Sequence, residues 1–197
     1  MRKISCLEKP MPPVECREGF GGEPSYAAVF ARALLDPDLA TPAAQSVPWL
    51  ADVARVERAW LDAYHAADVE PLTPSALASI PPERLADTVL KPHPATRVVR
   101  SRCPAVTIFT ANRSDGPATR VEVVEPEDAL LTRPALEVEA RRLPPGGAIF
   151  LTRLIAGESL GVAAAAALSD SASFDLAANI GGLLEAGVFT TALWEES

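Results

Sequence analysis

DALLTRPALEVEARR, residues 128–142, is the stretch that decides the fold. In its second half Leu136, Val138 and Ala140 alternate with Glu137, Glu139 and Arg141. A period of two puts one set on a buried face and the other in water, so Leu136–Arg142 is expected to be a strand. Asp128–Thr132 is expected to be a second strand, joined to it by a tight hairpin at Arg133-Pro134-Ala135. Thr119–Val124, upstream, adds a third. Downstream the period changes to that of helices. Pro144–Ala156 carries Ile149, Phe150, Leu154 and Ile155. Ser159–Leu168 is rich in alanine, with Ser159 as its cap. Asp175–Ala186 starts on a capping aspartate, carries Leu176, Ile180, Leu183 and Leu184, and stops at Gly187. Val188-Phe189 then runs extended. A small antiparallel sheet followed by three short helices is a winged-helix-like layout, and the fold class expected is α+β.

Working back toward the N-terminus, residues 48–68 read PWLADVARVERAWLDAYHAAD. Trp49, Val53, Val56, Trp60, Tyr64 and Ala67 recur at steps of three and four, which predicts a helix with an aromatic stripe. Glu57 and His65 flank the stripe, while Arg55, Arg58 and Asp62 face water. Ser25 is placed to cap an earlier helix through Leu35, which Asp36-Pro37 ends. Residues 1–24 are rich in proline, glycine and charge and read as an irregular arm. Short helices are expected over Pro74–Ser79, with Thr73 or Ser75 as cap, and over Pro82–Thr88. Ala95–Ser101 fits a strand, AVTIFTAN after Pro104 a helix, and Ser114–Pro117 a turn. The organisation expected is an arm (1–24), a helical domain (25–92) and a winged-helix-like domain (93–197).

Composition narrows the function. With 197 residues, 48% apolar and 22% charged, the chain has the makings of a globular core. No apolar run is long enough to span a bilayer, and the N-terminus lacks the apolar stretch of a secretory signal, so the expected location is cytoplasmic with no membrane contact. The formal net charge is −8, which argues against general nucleic-acid binding. One stretch departs from this: Lys91, Arg97, Arg100, Arg102 and Arg113 fall in residues 91–113 with no acid among them. It is either a solvated face or a patch for an acidic partner. Cys6, Cys16 and Cys103 form no disulfide framework, and His65 and His93 are the only histidines. No metal site and no cofactor are expected in this chain.

No nucleophile elbow, zinc-protease motif, phosphate loop or dinucleotide fingerprint is present. Gly146-Gly147 opens a helix and could hold an anion, but Pro144-Pro145 before it favours a simple turn. Glu57 and His65 lie two turns apart, too far for an acid–base pair. No catalytic residues are assigned. Two classes remain, a peptide-binding partner protein and a winged-helix DNA-binding or regulatory module. Asp175–Ala186 would be the recognition helix, and it has no lysine or arginine to meet phosphate or guanine.

LADVARVERAWLDAYHAAD, followed after a gap by KPHPATRVVRSRCPAVTIFTANR, resembles the C-terminal half of the HvfC/BufC family. The earlier FARALLDPDLATPA resembles the family's start. The resemblance runs from Phe30 onward. Family members carry a long helical block between these parts. Here Ala43–Val47 stands in that place, which makes the chain similar to the shortened, methanobactin-pathway type. The resemblance implies a heterodimer with a multinuclear non-haem iron oxidase, with the iron in the oxidase. It also implies a ribosomally made precursor peptide whose cysteine becomes an oxazolone with a neighbouring thioamide.

Two sets of residues are therefore singled out. Tyr64, His65, His93, Arg100 and Arg102 are expected to face the partner, since buried aromatic and arginine anchors dominate such interfaces. Leu136, Val138 and Ala140, with Leu176, Ile180 and Leu183 beside them, are expected to hold the leader as an added strand. The competing expectation is that the N-terminal arm covers this edge and that the helix residues are ordinary core.

Overall fold

The computed structural model describes residues 49–113 and 125–194. The helix expected over Ser25–Leu35, the arm, the turn at Ser114–Pro117 and the strand Thr119–Val124 lie outside them. Mixed helix and sheet make up the described chain, as an α+β class requires. Its helices are α1 (Leu50–Tyr64), α2 (Pro74–Ala78), α3 (Ala105–Arg113), α4 (Gly147–Ile155), α5 (Leu160–Asp170) and α6 (Leu176–Glu185). Its strands are β1 (Val89–Pro92), β2 (Arg97–Val99), β3 (Ala129–Thr132), β4 (Glu139–Arg142) and β5 (Phe189–Leu193). They form two sheets, one ordered β2-β3-β4 and one of β1 antiparallel to β5.

Two compact units are present, each built from two segments: Met1–Ala59 with Val99–Ala129, and Trp60–Val98 with Leu130–Ser197. The boundary expected between residues 92 and 93 falls inside the second. That unit is organised around one cluster in which Phe150, Leu151 and Leu154 of α4 meet Ala163 and Ala167 of α5, Leu183 of α6, and Leu90 and Phe189 of the small sheet. Small side chains let α5 come close. A Cβ on Gly161 would sit 2.9 Å from the Ala86 carbonyl, so only glycine fits there. Gly146, the N-cap of α4, has φ +74° and backs onto the Phe174 ring. Gly147 is buried, so the helix start is closed by packing and the anion reading falls away.

Local chemistry explains several helix ends. Asp175 accepts the Ala178 N–H at 2.9 Å and Thr73 accepts that of Ala76 at 3.2 Å. Ser159 holds the cap position of α5 without a side-chain cap bond, and its backbone instead bridges Val89. The aromatic helix ends at Tyr64, earlier than the stripe suggested. Its buried positions are Asp52, Val53, Ala54, Val56, Ala59 and Ala63, whereas Tyr64 is half exposed and Ala67 lies beyond the helix in water. The centre of the buried face is therefore turned toward the alanines, and the aromatic rings lie along its border.

The strands differ more. β1, Val-Leu-Lys-Pro, was not expected as a strand at all. β3 is buried at all four positions, as suits the middle strand of its sheet. β4 begins at Glu139, because Pro134 opens a 3₁₀ turn through Leu136 in which Ala135 (φ 50°) and Leu136 (φ 69°) are both left-handed. Extended backbone resumes only after them, so the tight hairpin and the strand from Leu136 are corrected.

Candidate functional site

The C-terminal end of α1 and the connector between β3 and β4 form the best-defined surface feature of the second unit. A helix leaves its last carbonyls without partners. Here Arg133 supplies them: Nη1 donates to the Tyr64 carbonyl at 3.0 Å and Nη2 to the Ala66 carbonyl at 2.6 Å. The same Nη2 pairs with Asp68. A guanidinium suits this task because its donors point in fixed, divergent directions and its charge complements the helix dipole. The side chain is only one-tenth exposed, and Nε is buried without a hydrogen-bond partner. Carbonyls and a fixed fork thus hold the connector against the helix end.

Rings and an exposed leucine decorate this anchored end. Trp60 stacks on Tyr64 with centroids 5.5 Å apart and planes 12° from parallel, and Tyr64 meets His65 edge to face at 5.1 Å. Tyr64 is 51% exposed. Three residues past Arg133, Leu136 stands 69% exposed on its left-handed backbone. A left-handed conformation costs an L residue with a Cβ about 1–2 kcal/mol, so the fold holds a leucine in solvent at an energetic cost. Val138 and Ala140 are half-buried, and β4 is the end strand of its sheet. The structure therefore ties the helix end that carries Tyr64 and His65 to Arg133, which starts the connector leading to Leu136, Val138 and Ala140.

The other expected residues are placed differently. His93 is buried. Its Nδ1 accepts the Ala95 N–H at 3.0 Å, which assigns the proton to Nε2, and Nε2 donates to the Val69 carbonyl at 2.8 Å. Both ring nitrogens are used inside the fold, so His93 is a structural residue and leaves the partner-facing set. Leu183 is core. Leu176 and Ile180 pack on the same cluster, so α6 offers these three to the interior and not to a groove. Its solvent side is Ala177, Ala178, Gly181, Gly182 and Glu185.

Arg100 and Arg102 belong to the first unit. Both are exposed. Arg100 lies 3.5 Å from Asp128, whose other oxygen accepts the Ser101 N–H. Arg102 lends its backbone N–H to Asp52 at 3.2 Å. Asp52 is buried and also takes the Ser101 hydroxyl and the Arg55 guanidinium, so three donors compensate one buried carboxylate. Glu127, equally buried, accepts the Thr107 N–H at 2.8 Å and the Thr107 hydroxyl at 2.6 Å near the start of α3. Burial pushes the Glu57 carboxyl above its ordinary value of 4.5, and the positive charge of Arg113 partly opposes this. Arg97, in the second unit, donates to the carbonyls of Pro94 and Thr96.

Among the described residues, no three His, Cys, Asp or Glu side chains gather where they could hold a metal ion, and no helix is long and apolar enough to cross a membrane. In comparison with known proteins, the chain matches no family model and no curated protein. Sequence reasoning missed Arg133, taking it for a turn residue. The signal available was an arginine beside proline directly after an apolar strand, a position that sequence alone does not connect to a helix 67 residues away.

Proposed function

We propose that this chain is a non-catalytic, cytoplasmic partner subunit of the MbnC type. It pairs with an MbnB-like multinuclear non-haem iron oxidase and holds the leader of a ribosomally made precursor peptide. The sequence resemblance supplies the class. The observation that carries the reading here is the anchored end strand: β4 terminates its sheet, and Arg133 ties the connector before it to the end of the helix that carries exposed Tyr64 and His65. A peptide adding to β4 gains backbone hydrogen bonds, with alternate side chains setting register. Arranged as β3, β4 and then α4, α5 and α6, this part reads as winged-helix-like. The DNA alternative loses ground, because the exposed side of α6 is alanine, glycine and glutamate.

The test uses the complex. The chain and the neighbouring oxidase, coexpressed, are expected to copurify, with iron in the oxidase. A labelled leader should bind the complex about tenfold more weakly when Ala140 or Arg141 is changed to proline, whichever carries the outward N–H. Separate elution of the two proteins, or unchanged leader affinity in both folded variants, overturns the reading.

A further inference from the structure

A single apolar side chain in solvent is ordinary on a protein surface and calls for no account. Leu136 stands apart because of its backbone. Among the described residues, positive φ occurs at Gly146, Gly157 and Gly187 and at two residues that carry a Cβ, Ala135 and Leu136. Elsewhere, then, this chain meets the left-handed region with the one residue that enters it without crowding. In the connector it sets Ala135 at φ 50° and Leu136 at φ 69°, one after the other. Each Cβ is pressed toward the backbone there. Backbone of this kind persists only where its surroundings fix it, and it collects at working surfaces.

The surroundings do fix it. The ring of Pro134 locks its own φ, and the Glu137 N–H closes the turn on the Pro134 carbonyl at 3.1 Å. Arg133, just before the turn, is tied to the carbonyls of Tyr64 and Ala66. The leucine side chain itself serves no such purpose. At 69% exposure it is the most exposed of the large hydrophobic residues described, and it stands outside the core cluster and the half-buried residues packed on that cluster. Ala135 and Glu137 on either side are exposed as well. The connector is a braced tip that carries one apolar knob beside one carboxylate.

The form of the tip selects the kind of partner. Leu136 lies in the turn, three residues before Glu139, where β4 begins. A peptide strand added to β4 pairs with the backbone of residues 139–142, and an extended peptide has no hollow for a leucine to enter. A knob is buried by a concave, closely packed surface, which a folded protein provides. A second copy of this chain suits it badly. Two-fold contact of the tip with itself brings Glu137 against Glu137, in a chain whose formal net charge is already −8.

We infer that Leu136 is the anchor by which this chain plugs into an apolar socket on its folded partner subunit. The residue leaves the leader-binding set and joins the partner-facing one. This assignment rests on the partner reading proposed above, and its test separates the two.

The probe is the coexpressed oxidase, titrated with the purified full chain. Leu136→Asn and Leu136→Gly both suit a left-handed backbone and both remove the knob, so neither asks the fold for a new conformation. Each is expected to bind the oxidase about tenfold more weakly, as the loss of one buried leucine from an interface implies. The labelled leader, titrated at saturating oxidase, should keep its affinity in both variants. In the free chain both should melt at or above the wild-type temperature. Unchanged oxidase binding in the two folded variants overturns the inference and leaves the partner reading standing. A leader affinity that falls with them also overturns it and returns Leu136 to the peptide. Lower melting of the free variants overturns it as well, because the leucine then packs against its own chain, the N-terminal arm included. A wild-type chain that binds no oxidase is the failure of the partner reading, and the inference falls with it.

Discussion

β4 and β5 both end a sheet, yet they are built to opposite rules. β4 reads Glu-Ala-Arg-Arg. Its Arg141 pairs with Glu139 on the same strand and stands 3.8 Å from Glu185 of α6. Charges on an edge discourage indiscriminate pairing, so anything that adds there has to bring side chains that tolerate them. Uncharged β5 has no such filter along the strand, and a cleft lined by Arg84, Asp87, Val89, Leu193 and Trp194 lies beside its end. An edge strand is therefore not one kind of surface: both strands end a sheet, and the side chains that flank them differ.

The comparison breaks most sharply at Arg133. Arg133→Met keeps the volume but takes the side-chain donor away from the carbonyls of Tyr64 and Ala66. Unfolding free energy is expected to fall by about 3 kcal/mol in urea titrations. In hydrogen exchange, residues 137–142 should open while residues 190–193 keep their rates. Equal loosening of both edges would show that the anchor does not belong to β4 alone. Asp52→Ala, in the other unit, removes the acceptor of the Ser101 hydroxyl and the Arg102 N–H, and should cost about 2 kcal/mol while the exchange rates of residues 137–142 stay as they are. Leu136→Asn relieves the left-handed strain, since asparagine tolerates that region. Thermal unfolding should show a gain of about 0.5 kcal/mol, set against weaker association with the proposed oxidase partner.

The smallest effect expected is at Glu57, where pH sets the sign. Its carboxyl is raised in the folded chain, so the folded state holds the proton over a range in which the unfolded state has lost it. Stability from this group is greatest below about 4.5 and declines as pH rises through the folded value. Glu57→Gln should make the chain relatively more stable at pH 7 than at pH 4, and a parallel pair of stability–pH curves for the two proteins would refute this.

Helices were more legible than strands, for a physical reason. Asp175 and Thr73 announce α6 and α2 through bonds made within four residues, and those local signals survive folding. β1 contains Lys91 and Pro92, which locally discourage a strand. It exists because β5, about a hundred residues away, pairs with it. Leu136 satisfies a period of two on paper, but Pro134 sets a turn that places Leu136 outside the strand. Of the residues singled out, Tyr64 and His65 stand exposed, Leu136 lies in the turn before β4, and Ala140 is half-buried on β4. His93 and Leu183 were misplaced, because an imidazole that satisfies two backbone groups and a leucine that fills the core look the same in a sequence as an exposed pair.

Arg133 also bears on the order of events during synthesis. The carbonyls it holds belong to Tyr64 and Ala66, 69 and 67 positions earlier in the chain. Until residue 133 has left the ribosome, nothing from the β3–β4 connector can close that loop, and the aromatic end of α1 lacks its clamp. At a synthesis rate of roughly 5–20 residues per second that interval lasts several seconds. A partner that recognised Tyr64 and His65 in their finished arrangement would therefore have to wait for the second half of this chain, which would make such an assembly a late step.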